Sequence, residues 1–236
     1  MVFGVMENLH KNQLLLELSV VRWIKMIRKI RLGVSTIQME YIHAMNLLVK
    51  QIPIDWLVVL ENYQLVLSVG HDEYWSGSMR DQLEGFIAKG GNAAFFSGNS
   101  VCWQVRSEEE GRALLCWKQW YNMDEAFAAG DYGRMTTLWS HYLVDRPENQ
   151  LTGVGFLYGG YHLSHEQYMD GSGAFEVHRP EHWVFAETGL AQGDNFGGEH
   201  TVVGYECDGC EYDMEDGLPV PKGTYGTPSD FTILCT

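Results

Sequence analysis

The segment from Gln64 to Arg106, QLVLSVGHDEYWSGSMRDQLEGFIAKGGNAAFFSGNSVCWQVR, constrains the fold more than any other part of the chain. Leu65 to Val69 is a nearly unbroken apolar run ending at Gly70, the pattern of a strand buried on both faces. Ser76 and Ser78 then offer N-cap oxygens, with Asp81 three residues after Ser78 as in a capping box. Met79, Leu83, Phe86 and Ile87 recur at helical spacing. Gly90-Gly91 can take a left-handed C-cap, and Ala93 to Phe96 is a second apolar run ending at Ser97-Gly98-Asn99. A strand, helix and strand in this order make the two strands parallel. The expected fold class is therefore α/β, a parallel sheet with flanking helices.

Parallel strands place their C-terminal ends on one edge of the sheet, where open α/β sheets bind ligands. The two post-strand segments, Gly70-His71-Asp72-Glu73-Tyr74-Trp75 and Ser97-Gly98-Asn99-Ser100, hold most of the region's titratable, amide and hydroxyl groups. Glu73 at a strand end can ligate a metal, His71 can act as base or hydrogen-bond donor, and Asn99 can offer its amide to a developing oxyanion. The local pattern leaves a second reading open, in which Asp72 or Glu73 only caps the helix and His71 is a satisfied core histidine.

From Gly153 onward, glycine and aromatics dominate. The runs Gly153 to Tyr158, Ala174 to Val177, Thr201 to Tyr205 and Phe231 to Leu234 read as short antiparallel strands, giving a β-rich second half. Glu206 follows one of these runs, as a second carboxylate for proton transfer or as a buried ion-pair partner. Asp208, Glu211, Asp213, Glu215 and Asp216 do not match the twelve-residue calcium loop, so a solvated acidic loop is expected. Residues 107–150 hold a Trp117-Lys118-Gln119-Trp120-Tyr121 cluster with no basic stripe, which points to packing or to covering a pocket, not to polymer binding.

GHDEYWS at 70–76, GGN-x-AFFSGN at 90–99, then Trp103 and Arg106, resemble the C-terminal domain of the N,N-dimethylformamidase large (beta) subunit family. RPEN at Arg146 to Asn149, LTG at Leu151 to Gly153, HWVF at His182 to Phe185, TGL at Thr188 to Leu190 and GYECDG at Gly204 to Gly209 continue the resemblance over roughly residues 55–236. It implies a class I glutamine amidotransferase-like (flavodoxin-like) fold. It also implies hydrolysis of a formamide C–N bond at a mononuclear iron held by two tyrosinates and one glutamate. Carried over by position, the glutamate ligand falls on Glu73, the neighbouring histidine on His71, the asparagine on Asn99 and the second carboxylate on Glu206. The two tyrosines belong upstream of the α/β unit, with no matching segment here, so the chain alone is expected to hold no stoichiometric iron. The amidotransferase cysteine nucleophile has no counterpart, because Ser97-Gly98-Asn99 stands on that turn and Cys102 lies too far along. The alternative function is a non-catalytic α/β scaffold or ligand-binding domain.

The net charge of −15 disfavours nucleic acid and anionic lipid as partners and leaves a small amide, a metal ion, a second subunit or a second copy. That charge is uneven: residues 1–54 carry +4 and the remainder −19. The domain division is therefore placed at residue 54, with a basic N-terminal segment, aberrant or truncated in relation to the family, before the main domain. Leu14 to Ile30 reads as an amphipathic core-covering helix, too interrupted by charge to span a bilayer. No secretory signal precedes it, and five scattered cysteines fit reduced thiols, so the cytoplasm is the expected compartment. A lone Cys207-x-x-Cys210 without a second pair points to structural thiols rather than zinc.

Overall fold

The computed structural model describes residues 3–6, 60, 62–109, 112–161, 173–200, 202–203 and 206–236. The helix read over Leu14 to Ile30, the stretch from Ile37 to Trp56 and most of the Thr201 to Tyr205 run lie outside them. The chain divides into two compact units, one formed by Met1–Arg31 with Glu148–Thr236, the other by Leu32–Pro147.

In the Leu32–Pro147 unit, strand β2 (Leu65–Val69) pairs in parallel with β4 (Asn92–Phe96), and helix α1 (Gly77–Ala88) runs between them. Strand β3 (Tyr74–Ser76) pairs in parallel with β5 (Trp103–Glu108), which pairs antiparallel with β6 (Ala113–Leu115). The Ser76 side chain accepts the Met79 N–H and starts α1. Gly90, at φ 93°, ends it: the Gly90 N–H goes to Ile87 O and the Gly91 N–H to Phe86 O, so orphan carbonyls of the last turn are satisfied. Arg80, Leu83 and Phe86 form the buried face of the helix. Arg80 is fully buried: its guanidinium donates to the Arg146 and Pro147 carbonyls and to Glu84, and stacks on Trp139 at 4.7 Å.

In the other unit, β1 (Phe3–Met6) pairs antiparallel with β13 (Phe231–Cys235), β7 (Gly160–Tyr161) with β10 (Glu206–Gly209), β8 (Phe175–Glu176) with β9 (Asn195–Phe196), and β11 (Tyr212–Glu215) with β12 (Leu218–Pro221). Gly159 and Gly209 are needed where β10 passes the turn before β7. A Cβ on Gly159 would lie 2.0 Å from Cys207 O, and one on Gly209 2.5 Å from Tyr158 O. Phe156–Gly159, within a run expected to be a strand, is a single helical turn ending in positive-φ Gly160.

The expected flavodoxin-like parallel sheet with flanking helices is not what forms. The described residues make six separate sheets, five of two strands and one of three, mostly antiparallel, and α1 is their only helix longer than one or two turns. The architecture is β-rich. The physical reason shows in β2: a strand sandwiched between helices buries both faces, but Leu67 is 51% and Val69 36% exposed. An unbroken apolar run implies two-sided burial, whereas here Leu67 and Val69 face out and Ser68 is buried. Only the local strand–helix–strand unit survives from that expectation.

The acidic stretch is also more ordered than a solvated loop. Asp216 (φ 50°) and Gly217 (φ 80°) occupy the two central positions of a hairpin between β11 and β12, the signature of a type I′ turn, and Asp208 is buried. Among the described residues, no helix is long and apolar enough to cross a membrane.

Candidate active site

The end of β2 and the end of β4 are tied together by their backbones. After Gly70 at φ 82°, the chain turns so that Asp72 O accepts the Val101 N–H at 3.0 Å and Glu73 O accepts the Trp103 N–H at 2.8 Å. Asp72 itself is spent on structure. It is buried, its carboxylate accepts from Ser68 Oγ and, at 3.0 Å, from Trp75 Nε1. It does not cap α1, because Ser76 does.

Glu73 differs from its neighbour. Its side chain is 8% exposed, and its Oε1 lies 2.9 Å from Nε2 of His71, whose side chain is 66% exposed. His71 is therefore neither a core histidine nor isolated, since the imidazole stands in water with one nitrogen held by a buried carboxylate. The Glu73 Oε2 has no partner among the described residues. Asn99 is buried on the facing turn in a left-handed conformation (φ 58°) that asparagine tolerates. Val101, two residues on, is fully buried with φ 55°, a conformation unfavourable for a β-branched side chain. Strain of about 1–3 kcal/mol per such residue clusters where a site is over-determined by its surroundings.

Lys118 was not singled out from the sequence. It too has a positive φ, 53°, and its N–H is fixed on Thr136 O at 3.0 Å. Its Nζ donates to Tyr74 Oη at 2.7 Å and lies 4.9 Å from the ring centres of both Tyr74 and Trp103. Tyr74 and Trp103 are register partners in the β3–β5 ladder, so the strand pairing itself sets the two rings side by side. Burial works against the ammonium, but the Tyr74 hydrogen bond and the charges of Tyr74, Glu73 and Cys116 more than offset it, and the Lys118 pKa stands above the ordinary lysine value. Burial pushes the nearby Cys116 thiol up, only partly countered by Lys118. Nothing in the sequence pairs Lys118 with Tyr74, because the two are 44 residues apart.

Glu206 belongs to the other compact unit. It opens β10 and is half-buried. Cys207 and Cys210 that follow are buried, and burial pushes both thiols up, Cys210 to about 11.

The iron implied by the family resemblance asks for several hard anionic oxygens. Around Glu73 the described residues offer one carboxylate already bound to an imidazole, and a phenol that accepts from a cationic ammonium. Among the described residues, no three His, Cys, Asp or Glu side chains converge as a metal set. By themselves these described groups do not make up that donor set. What the cluster does offer is unspent hydrogen-bonding capacity: an imidazole nitrogen, a carboxylate oxygen and ammonium N–H groups.

Comparison with known families gives one match of consequence. A family model described as N,N-dimethylformamidase beta subunit-like, C-terminal, matches residues 7–234, reaching back across most of the basic N-terminal segment. No curated protein matches the chain.

Proposed function

This chain belongs to the N,N-dimethylformamidase beta subunit-like, C-terminal family, and from that membership we propose that it is a hydrolase-type domain acting on the C–N bond of small linear amides. The observation that carries this reading is the exposed His71 imidazole, 2.9 Å from the buried Glu73 carboxylate at the end of a parallel strand. Glu73 fixes the imidazole's orientation and tautomer. The outer nitrogen is then free to take a proton from water. Hydroxide formed in this way adds to the amide carbon, and the imidazolium returns the proton to the departing amine. Asn99 is the residue we assign to hydrogen-bonding the acyl oxygen.

The family description speaks of a beta subunit, and we infer that a second subunit or a second copy of the chain completes the assembly. Oxygens beyond the described residues would have to join Glu73 for iron to be held. Five cysteines without a disulfide support a reducing, cytoplasmic setting. A second reading, a non-catalytic ligand-binding or assembly scaffold, draws support from the exposed Trp120, Met123 and Tyr142 side chains in the Leu32–Pro147 unit.

The test is a screen of small amides for released amine with the full chain, comparing the wild type with His71→Ala and Glu73→Gln. Loss of a positioned general base lowers the rate by about 10²–10⁴-fold. Hydrolysis that proceeds equally well in both variants removes His71 and Glu73 from the chemistry.

A further inference from the structure

We propose that the row of rings from Tyr142 to Tyr132, on the surface of the Leu32–Pro147 unit, is a docking surface for an arginine-rich segment of a partner protein, whose guanidinium groups stack on the rings and pair with the carboxylates beside them. The inference goes beyond the amide chemistry and does not depend on it. Of the second subunit and the second copy named above, it selects a different, basic chain.

The row is continuous. Tyr142 meets His141 with ring centres 4.6 Å apart, His141 meets Tyr121 at 4.4 Å, Tyr121 meets Phe127 at 5.6 Å and Phe127 meets Tyr132 at 6.0 Å. Its two ends stand in water, Tyr142 76% and Tyr132 39% exposed, and Trp120, next to Tyr121 in the chain, is 63% exposed. The backbone under the rings is fixed, because Asp124, between Tyr121 and Phe127 in the sequence, is buried against Arg106, the Ala126 N–H and the Thr136 N–H. His141 enters the row as a neutral ring: its Nδ1 accepts the Leu143 N–H at 3.3 Å, and burial lowers its pKa. Rings ordered in advance lose little freedom when a partner covers them, and tyrosine and tryptophan are typical anchors of protein interfaces.

The charge beside the rings is negative. Residues 120–145 carry four acidic side chains and one basic one. Asp124 is spent on Arg106, and the one basic residue, Arg134, lies 3.5 Å from Asp131. Glu125 is left 84% exposed, with Arg106 3.7 Å away, and Asp145 is exposed. Inside the same unit Arg80 and Arg146 stack on Trp139 at 4.7 and 5.3 Å, whereas among the described residues no lysine or arginine stands over the rings of the outer row. An aromatic face attracts a guanidinium group, whose planar fork can pair with a carboxylate at the same time, and a lysine ammonium does not match that combination. A phosphate-bearing partner, or the same tract on a second copy of a chain of net charge −15, sets negative charge against negative charge.

The probe is a short fluorescent peptide alternating arginine and glycine, with binding to the full chain followed by anisotropy. It is compared with a lysine–glycine peptide, which keeps the charge, and with a citrulline–glycine peptide, which keeps the shape without the charge. The wild type is set against Tyr132→Ser combined with Tyr142→Ser, which removes the ends of the row and leaves every charge in place. Tyr212→Ser is the control, an exposed tyrosine of β11 beside Asp213 and Glu215, outside the row. The expected result is binding of the arginine peptide to the wild type and to Tyr212→Ser, about tenfold or more weaker in the ring variant, with the lysine peptide weaker than the arginine peptide and the citrulline peptide weakest. Thermal melting shows that folded chains are compared, and Tyr142→Ser alone serves where the combined variant does not fold. Equal binding by the ring variant reduces the attraction to net charge and overturns the proposal, as does a wild type that binds no peptide or binds the citrulline peptide equally well. Sedimentation equilibrium without peptide tests the other occupant: a wild-type dimer that the ring variant dissolves gives the surface to a second copy and overturns the assignment to a basic partner.

Discussion

Asp124 and Glu73 show two different fates for a carboxylate taken out of water in this chain. Asp124 has a fully buried side chain and receives the Ala126 and Thr136 N–H groups, the Thr136 hydroxyl and two contacts from Arg106 Nη1 at 2.9 and 3.0 Å. Burial opposes its charge, but those donors outweigh it and hold the carboxyl below the usual carboxylate range. A folded-state pKa below the unfolded one contributes stability that is complete above the unfolded value and is lost as pH falls through the folded one. Replacing Arg106 with Met strands the buried anion, and the expected cost is about 3–5 kcal/mol in urea unfolding at pH 7, shrinking as the pH is lowered and Asp124 takes a proton. A cost that does not change with pH would show that packing, not charge, carries the Arg106 contribution. Glu73, by contrast, has one partner and an oxygen to spare. The contiguous GHDEYWS motif made His71 and Glu73 legible in the sequence, since both lie on one turn. Lys118 is not, because a cation held by rings from two paired strands, neither next to it in the sequence, leaves no local pattern.

The elements were legible where local chemistry decides them and not where distant covering decides them. Helix α1 could be read from its cap serine, its apolar spacing and its closing glycines, all within one stretch of chain. The sheet around it could not, because an apolar run such as Leu65 to Val69 does not record whether a helix covers each of its faces. The hairpin of β11 and β12 is the opposite case: Asp216-Gly217 is a strong turn signal that the surrounding acidic residues obscured. At Gly217 a Cβ would meet nothing within 4 Å, so a Gly217→Ala change adds no clash and isolates the cost of the left-handed backbone. That cost is about 1–2 kcal/mol, expected as a lower urea midpoint with an unchanged slope. A neutral outcome would mean that the hairpin opens independently of the rest of its unit. Glu215, beside that turn, is exposed and serves as the control position, where Glu215→Ala should change stability little.

At the scale of the whole chain, the thiols report how tightly the β-rich architecture is closed. None of the five cysteines forms a disulfide, and four of them, Cys102, Cys207, Cys210 and Cys235, are buried. Burial pushes the Cys210 thiol up to about 11 and the Cys235 thiol up to about 12, with Cys207 and Cys116 also raised. The thiolate is the nucleophile, so near neutral pH these side chains are doubly protected, by lack of access and by lack of ionisation. Cys235 lies in β13, paired with β1 and bridged to Val177, and its modification requires that ladder to part. A disulfide-forming thiol reagent at pH 8 should therefore modify the half-buried Cys116 first and the remaining four only at the rate of unfolding, with all five reacting at once in denaturant. Mass spectrometry of partly modified chain identifies the order. Rapid modification of Cys210 or Cys235 in the native chain would mean that the small antiparallel sheets open individually, each too short to hold its neighbours closed, and that the stability of this fold is local rather than shared.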